Sequence, residues 1–578
     1  MKSKTSFCNS ALLKKNISRF AVIWGLYLGA LVLGSTLVLL NLGNLFLSNG
    51  GPELKEVFHG FLSVYAIFGG NYMNGLYGII CAVACFSYLH KTRSAYMMHA
   101  FPMSRGTLFN TNLISGLLFG LAPQLIVTVM NLGVAAIDGT RLYADVLMTF
   151  GVQALEFLFF YGLGVFCMVM TGKSIFGILS YAVLNYIVVL LELVLRVILT
   201  PLMFGVKTLE HIVTLPLSPS IWLTKAGVDN LERIDNHFAR PECWRYLAVI
   251  AAVGIVLMLV SRLLYDKRHM ENAGEVVAFR WARPIFKYFF TVCVSLFLGL
   301  LITTIAATRE LADGASAGMI ICLLVAGFIG YFAAEMMLNR TVKVFKGKAF
   351  LGFAIYAAIL LALLLTVKFD VFGIVRRVPE PETVSKVEIK PYYRDEGTVT
   401  FTDPDDIETL TKMHQKLLDT QKLPEINSYG YQIPEEYGEW VSVEVTYHLN
   451  NGTSFSREYR DVYSGLASED FSALMDGKPE LLESYYDSAK FSMSTNIWIS
   501  NYPESFDSYR HMTDSEMKHL RECLQQDIDA GTILLYEDIL QCSYETCFEI
   551  RVGDCYIIVP ESAKNAYGYL KLLDTIYR

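Results

Sequence analysis

The chain has 578 residues, of which 53% are hydrophobic, with a mean hydropathy of +0.39 and a formal net charge of −7. Soluble domains hold about 45–50% apolar residues even with glycine counted, so the composition excludes an ordinary soluble enzyme and points to a membrane protein. Charge is uneven: residues 1–370 carry about 29 basic against 18 acidic side chains and residues 371–578 about 19 against 37, so a basic apolar part meets an acidic tail near Phe372.

Residues 1–19 carry Lys2, Lys4, Lys14, Lys15 and Arg19 and no acid, with Leu12, Leu13 and Ile17 at helical spacing. This predicts an amphipathic elbow on the inner membrane surface, in contact with lipid. A secretory signal is the rival, but the apolar run that follows is long and lacks a small-residue cleavage site.

A bilayer crossing needs about 20 apolar residues in a helix, and nine runs meet that need. They are Phe20 to Leu45, Asn71 to Leu89, Leu113 to Ile137, Val146 to Met170, Ile175 to Met203, Leu247 to Leu264, Tyr288 to Ala307, Gly318 to Leu338 and Phe350 to Phe372. With the N-terminus in the cytoplasm, the connections His90 to Asn112, Thr171 to Ser174, Asp266 to Lys287 and Asn339 to Ala349 lie inside, and they hold the basic residues. The connections Gly50 to Gly70, Asp138 to Asp145, Phe204 to Arg245 and Thr308 to Ala317 are mixed or acidic and lie outside. The fold class expected is therefore a polytopic α-helical plasma-membrane protein of about nine transmembrane helices with a C-terminal α+β soluble domain. Its parts are an elbow (1–19), six helices (20–265), an inner linker with three further helices (266–372) and an extracytoplasmic acidic domain (373–578).

Within the first inner loop, His90 to Asn112, Lys91, Arg93 and Arg105 stand with no acid, and aromatic and proline residues are interleaved. Such a segment fixes topology by its charge, or lies along the membrane to be gripped by a soluble partner. The phrase His99-Ala100-Phe101-Pro102-Met103-Ser104-Arg105, followed by Leu108-Phe109 and Gly116-Leu117, resembles the first cytoplasmic loop of type-2 ABC transporter permeases from Gram-positive bacteria. The opening Lys4-Thr5-Ser6-Phe7-Cys8-Asn9, with Leu12-Leu13-Lys14-Lys15-Asn16 and Arg19-Phe20, is similar to the start of the same proteins. The likeness covers the first half of the chain, and the tail more loosely. Phe101 stands where that family has a leucine before proline.

The resemblance implies that this loop is the coupling helix that docks on a cytoplasmic ABC ATPase dimer, with Arg93, His99, Phe101, Pro102 and Arg105 at the contact. It also implies a second permease copy or a sister permease, and ATP and Mg bound by the ATPase chains. This chain itself is expected to hold no cofactor, no metal and no nucleic acid, and to be a transport subunit rather than an enzyme.

The outer loop Phe204 to Arg245 carries Pro216, Pro219 and Trp222 after Pro201, and reads either as a broken hairpin dipping into the outer leaflet or as a plain loop. In the tail, Val387 to Pro391 and Thr398 to Thr402 read as strands, and Asp403-Pro404-Asp405-Asp406 opens a helix. Trp440 to Leu449 and Thr453 to Tyr459 form a hairpin around Asn451-Gly452, a pair suited to a type I′ turn. A second round follows: Thr513 caps a helix to Ile528, and Cys547 to Val552 pairs with Cys555 to Val559 across Gly553-Asp554. Two related α+β halves are expected.

Ionisable residues at membrane depth are costly and face a bundle interior or a pathway. Glu156 lies mid-run; Glu192 and Arg196 are four apart, on one helix face, and can neutralise each other. Thr171-Gly172-Lys173-Ser174 ends like a phosphate loop, but position 167 is Cys where the motif needs Gly and no strand precedes it, so it reads as a short inner turn. His414, His448, His511 and His519 show no ligand or catalytic spacing, and no catalytic residue is assigned. Cys523, Cys542, Cys547 and Cys555 can pair outside the cell, with no connectivity fixed. The function expected is export of a drug-like, lipid-like or peptide substrate. The alternative is a membrane-anchored sensor or assembly protein whose outer domain binds a ligand without transport.

Overall fold

A computed structural model describes residues 7–47, 54–199, 202–203, 213–232, 241–306, 315–391, 399–419, 440–463, 482, 486, 497–501, 510–534, 547–552 and 555–577. Fourteen helices come first: α1 Ser10–Arg19, α2 Ala21–Leu31, α3 Leu37–Leu47, α4 Leu54–Val64, α5 Gly70–Phe86, α6 Thr92–His99, α7 Arg105–Ile137, α8 Tyr143–Met170, α9 Ser174–Leu199, α10 Pro219–Glu232, α11 Pro241–Lys267, α12 Ala282–Ala306, α13 Ala315–Asn339 and α14 Gly347–Lys368. Single π-turns, Val32–Thr36 and Tyr65–Gly69, join α2 to α3 and α4 to α5. Among the described residues nine helical stretches are long and apolar enough to cross a membrane.

One connection differs from expectation, and a second, left open between two readings, is helical in part. Gly50 to Gly70, expected as an outer loop, is helical from Leu54 onward, because α4 carries an apolar stripe, with Phe58 and Leu62 buried. In the Phe204 to Arg245 connection, α10 starts at Pro219, where a missing N–H costs nothing. It packs into the helical group: Leu223 is buried, Trp222 stacks on Tyr246 with ring centres 3.8 Å apart, and Asn71 Nδ2 donates to the Ser220 carbonyl at 2.8 Å.

The hub of the helical group is α8. Its most apolar window is 78% buried, against 11% for α14. Glycines let neighbouring backbones approach it closely, the usual means of packing helices in lipid. A methyl placed on Gly254 of α11 would lie 2.5 Å from the Leu158 carbonyl oxygen, and one on Gly78 of α5 would lie 2.9 Å from the Phe160 carbonyl carbon. On α7, Gly116 and Gly120 leave room for Tyr161 and Phe157. Asn9 caps α1, accepting from Leu12 N–H at 3.0 Å, and the buried Asn16 donates to Asn112 and Ser115 of α7, both at 3.0 Å.

The C-terminal region holds two four-stranded antiparallel sheets. The first has β1 Val384–Pro391, β2 Val399–Phe401, helix α15 Pro404–Asp419, β3 Trp440–Leu449 and β4 Ser454–Tyr463, in the order β2-β1-β3-β4. The second has β5 Ile497–Asn501, β6 Arg510–His511, helix α16 Asp514–Asp529, β7 Cys547–Val552 and β8 Cys555–Pro560, in the order β6-β5-β7-β8, followed by α17 Lys564–Tyr577. Strand order and the place of the helix are the same in both. Ile407, Leu410 and Leu418 of α15 occupy the same steps from the helix start as Met517, Leu520 and Ile528 of α16, and all six are buried. Asp403 Oδ1 accepts from Asp405 N–H at 3.1 Å ahead of α15, and Thr513 and Glu516 form a capping box on α16.

The β3–β4 turn is not type I′. Gly452 is left-handed, with φ +81°, while Asn451 is not, and Gly452 N–H donates to Leu449 O at 2.9 Å. The loop runs from Asn450 to Thr453, so one glycine suffices where a two-residue type I′ loop demands two left-handed residues. Gly553-Asp554 and Cys542 lie outside the described residues.

Candidate functional site

Two groups of polar side chains stand out in the helical region. The first surrounds α6. Behind the helix, His99 is half-buried: its Nδ1 bonds the Ala95 carbonyl at 2.8 Å and its Nε2 meets the Tyr265 hydroxyl at 3.0 Å, which in turn meets the Tyr88 hydroxyl at 3.0 Å. A carbonyl only accepts, so Nδ1 carries the proton and, in the neutral ring, Nε2 accepts from Tyr265. Tyr265 then accepts from Tyr88, giving a chain of donors that ends on Ala95. Burial lowers the His99 pKa, and the neighbouring charges of Arg105 and Arg268 act in the same sense, against the opposing bond to Ala95.

Arg268 is the buried cation that ties this end together. Its NH1 donates to the carbonyls of Val169 at 2.6 Å and Met168 at 3.2 Å, and its NH2 to Leu89 at 3.1 Å, capping the last turn of α8 with the chain that follows α5. Burial lowers its pKa to about 10, which leaves it charged at neutral pH. Arg105 donates to the carbonyls of Asp266 at 3.1 Å and Arg268 at 3.4 Å, while Ser104 caps α7.

The outward side is different in kind. Arg93, Tyr96, Met97, Phe101 and Pro102 are exposed, Tyr96 at 52% and Phe101 at 41%. Of the five contact residues expected from sequence, Arg93, Phe101, Pro102 and Arg105 are exposed and His99 is half-buried; His99 and Arg105 also fasten the loop to α11 and the residues after it. Sequence reasoning missed Tyr88, Tyr265 and Arg268; nothing in the sequence separates Arg268 from Lys267 or Arg283.

The second group is a buried cluster drawn from α2, α5, α7 and α8. Tyr27 OH donates to Asn74 Oδ1 at 2.8 Å, and Gln124 Nε2 reaches the same oxygen at 2.8 Å and Tyr27 OH at 3.0 Å. Asn74 Nδ2 donates to Glu156 Oε2 at 3.1 Å and to the Gln153 carbonyl at 3.2 Å. Glu156 is fully buried, and its Oε1, Gln153 Nε2 and Gln124 Oε1 find no partner among the described residues. Buried amides and carboxyls of this kind bind helices to one another, or await a ligand's polar group.

Glu192 belongs to neither group. Its carboxylate accepts from the N–H groups of Val213 at 3.0 Å and Thr214 at 2.7 Å and from the Thr214 hydroxyl, so it anchors the chain ahead of α10; Arg196 follows one turn later on α9. Thr171-Gly172-Lys173-Ser174 forms the turn into α9: Ala278 N–H donates to Met170 O at 2.9 Å and Gly274 N–H to Gly172 O at 2.6 Å. Among the described residues no group of three His, Cys, Asp or Glu side chains is placed to hold a metal ion. Set against known protein families, curated proteins and solved structures, the chain matches none.

Proposed function

We propose that the chain is the permease subunit of a type-2 ABC exporter, driven by ATP hydrolysed on a separate cytoplasmic ATPase dimer. The observation that carries this reading is the two-sided build of α6. The outer side of α6 and of the turn after it offers Arg93, Tyr96, Met97, Phe101 and Pro102, an aromatic, thioether and cationic mixture of the sort enriched at protein contacts. Its inner side is clamped to α11 through His99, Tyr265 and Arg105. A force applied to the outer side passes to α11, and from α11 to α8 through the seam at Gly254. The likeness of the His99 to Arg105 phrase to the coupling loop of type-2 permeases supports the same assignment.

In this reading the nine helices cross the plasma membrane with the N-terminus and α6 inside and the two sheets outside, in accord with the basic connections on one side and the acidic tail on the other. A second permease, identical or related, completes the pathway. Glu156 and its amide neighbours lie beside that pathway, and the acidic tail attracts cationic or peptide substrates near its outer mouth.

Affinity purification of the full chain from its native membrane is expected to recover an ABC ATPase subunit. Arg93→Glu combined with Phe101→Asp changes only exposed positions and is expected to weaken that association about tenfold or more, the usual cost of losing a contact anchor. Full-strength association of the double variant would sink the docking assignment; failure of the unaltered chain to recover any ATPase would favour a sensor or assembly role.

A further inference from the structure

A long apolar groove runs between α9 and α12, and the coupling described above makes no use of it. Its volume is about 800 Å3, within the range of about 300–1,000 Å3 found for small-molecule sites. Phe166 of α8 with Leu179 and Ile187 of α9 forms one wall, and Phe289 and Phe297 of α12 form the other.

The groove is closed at one end, where Thr171 pairs with Val277 in an antiparallel bridge and Val276 and Val277 join the lining. Cations flank this end. Lys173 stands between the lining residues Thr171 and Phe176, and Arg280 between Val277 and Ala282; both are exposed. Glu275, the acid next in sequence to the bridge, is already matched by Arg283 at 3.5 Å and Arg340 at 3.3 Å, so it does not neutralise the rim. Trp281 is 56% exposed beside Arg280, a residue type that favours the level of lipid headgroups.

We propose that this groove holds the acyl chains of an anionic phospholipid, with its phosphate held by Lys173 and Arg280 at the inner-face rim. The assignment rests on the membrane reading and not on the ATPase partnership. Helices that pack on helices in a bilayer meet through small residues. These walls mix large side chains, Phe166, Phe289 and Phe297 among them, with smaller ones such as Ser180 and Ala182, an irregular apolar surface that a flexible chain can follow. Two cations at this end match a headgroup of net negative charge better than a zwitterionic one, whose ammonium offsets its phosphate. The Thr171-Gly172-Lys173-Ser174 turn then supplies a lysine to a lipid phosphate rather than to a nucleotide.

The test uses the full chain in vesicles of phosphatidylethanolamine and phosphatidylglycerol, with a photoactivatable group on the acyl chain of one lipid or the other. Labels from phosphatidylglycerol are expected to concentrate on α9 and α12 peptides and to exceed those from phosphatidylethanolamine by about fivefold for each cation at the rim. Lys173→Gln with Arg280→Gln, both exposed, should bring the two lipids level. Ser180→Trp, which fills the groove, should lower both. Labels spread evenly over every lipid-facing helix, or a headgroup preference untouched by the double variant, would overturn the assignment. So would efficient cross-linking of two chains through Leu179→Cys, which would put a second copy in the groove.

Discussion

Glu156 in the helical region and His414 on α15, beside the first sheet, are both buried ionisable side chains, yet their surroundings differ. Glu156 is reached by Asn74, which is also engaged by Tyr27 and Gln124, so one carboxyl terminates a network drawn from four helices. His414 sits on α15 and meets a strand residue: its Nδ1 lies 2.9 Å from the Tyr447 hydroxyl and the two rings stack nearly parallel. Around it is an ordinary apolar core that includes Val387, Ile389, Phe401 and Leu410. In lipid, where apolar contact gives helices little reason to prefer one another over acyl chains, close backbone approach and polar contacts specify the packing. In water the core does that work, and a buried histidine becomes a liability that depends on pH.

The sharpest way to break this contrast is to separate the helices. Gly254→Leu forces a side chain against the backbone of α8, where no rotamer change gives relief, since the Cβ itself would lie 2.5 Å from the Leu158 oxygen. The expected cost is at or above the top of the overpacking range, about 3 kcal/mol or more, seen as loss of monodisperse protein in detergent. Gly29→Leu is the control, because a Cβ there meets nothing within 4 Å. Equal tolerance of both would show that the α8 seam does not hold the region together.

The next effect is confined to the sheets and follows pH. Burial first, and then the charge of Arg457, lowers the His414 pKa from 6.5 to about 4. A histidine whose folded pKa is depressed binds its proton more readily when unfolded. Stability is therefore full above about pH 6.5 and falls as pH drops toward 4, by a total on the order of 3 kcal/mol. Thermal unfolding of the full chain followed through the C-terminal region should show this slope, and His414→Gln should flatten it. An unchanged slope in the variant would assign the acid sensitivity to another group.

Much of this organisation is legible in the residues. Runs of apolar side chains mark nine helices because length and hydropathy suffice for that, and Asp403 and Thr513 announce helix starts because capping is local chemistry. What the sequence does not disclose depends on distant partners. The apolar stripe of α4 is interrupted by Lys55, Glu56 and His59, and so reads as a loop until α10 is seen beside it. His99 looks like a surface residue of the same kind as Arg93 until Tyr265 is placed behind it, and nothing in the sequence shows that the exposed Arg105 also reaches the Asp266 carbonyl. Glu192 and Arg196 sit at a spacing of four, and the sequence does not disclose that the Glu192 carboxylate also accepts from Val213 and Thr214, some twenty residues further on.

The smallest effect decides what kind of residue Glu156 is. Glu156→Leu removes one acceptor of Asn74 Nδ2 and leaves that nitrogen with the Gln153 carbonyl alone; interhelical hydrogen bonds of this type are worth about 0.6 kcal/mol on average, so a modest fall in thermal stability in detergent is expected. Glu156→Gln keeps an oxygen for Asn74 and should recover most of that loss. On the proposed export role, a carboxyl that serves only to join helices predicts a glutamine variant that transports as well as the native chain. If its Oε1 receives a polar group of the substrate as the helices open, the glutamine variant keeps its stability and loses transport. Measuring both in the same vesicles separates a residue that fastens the bundle from one that lines its pathway.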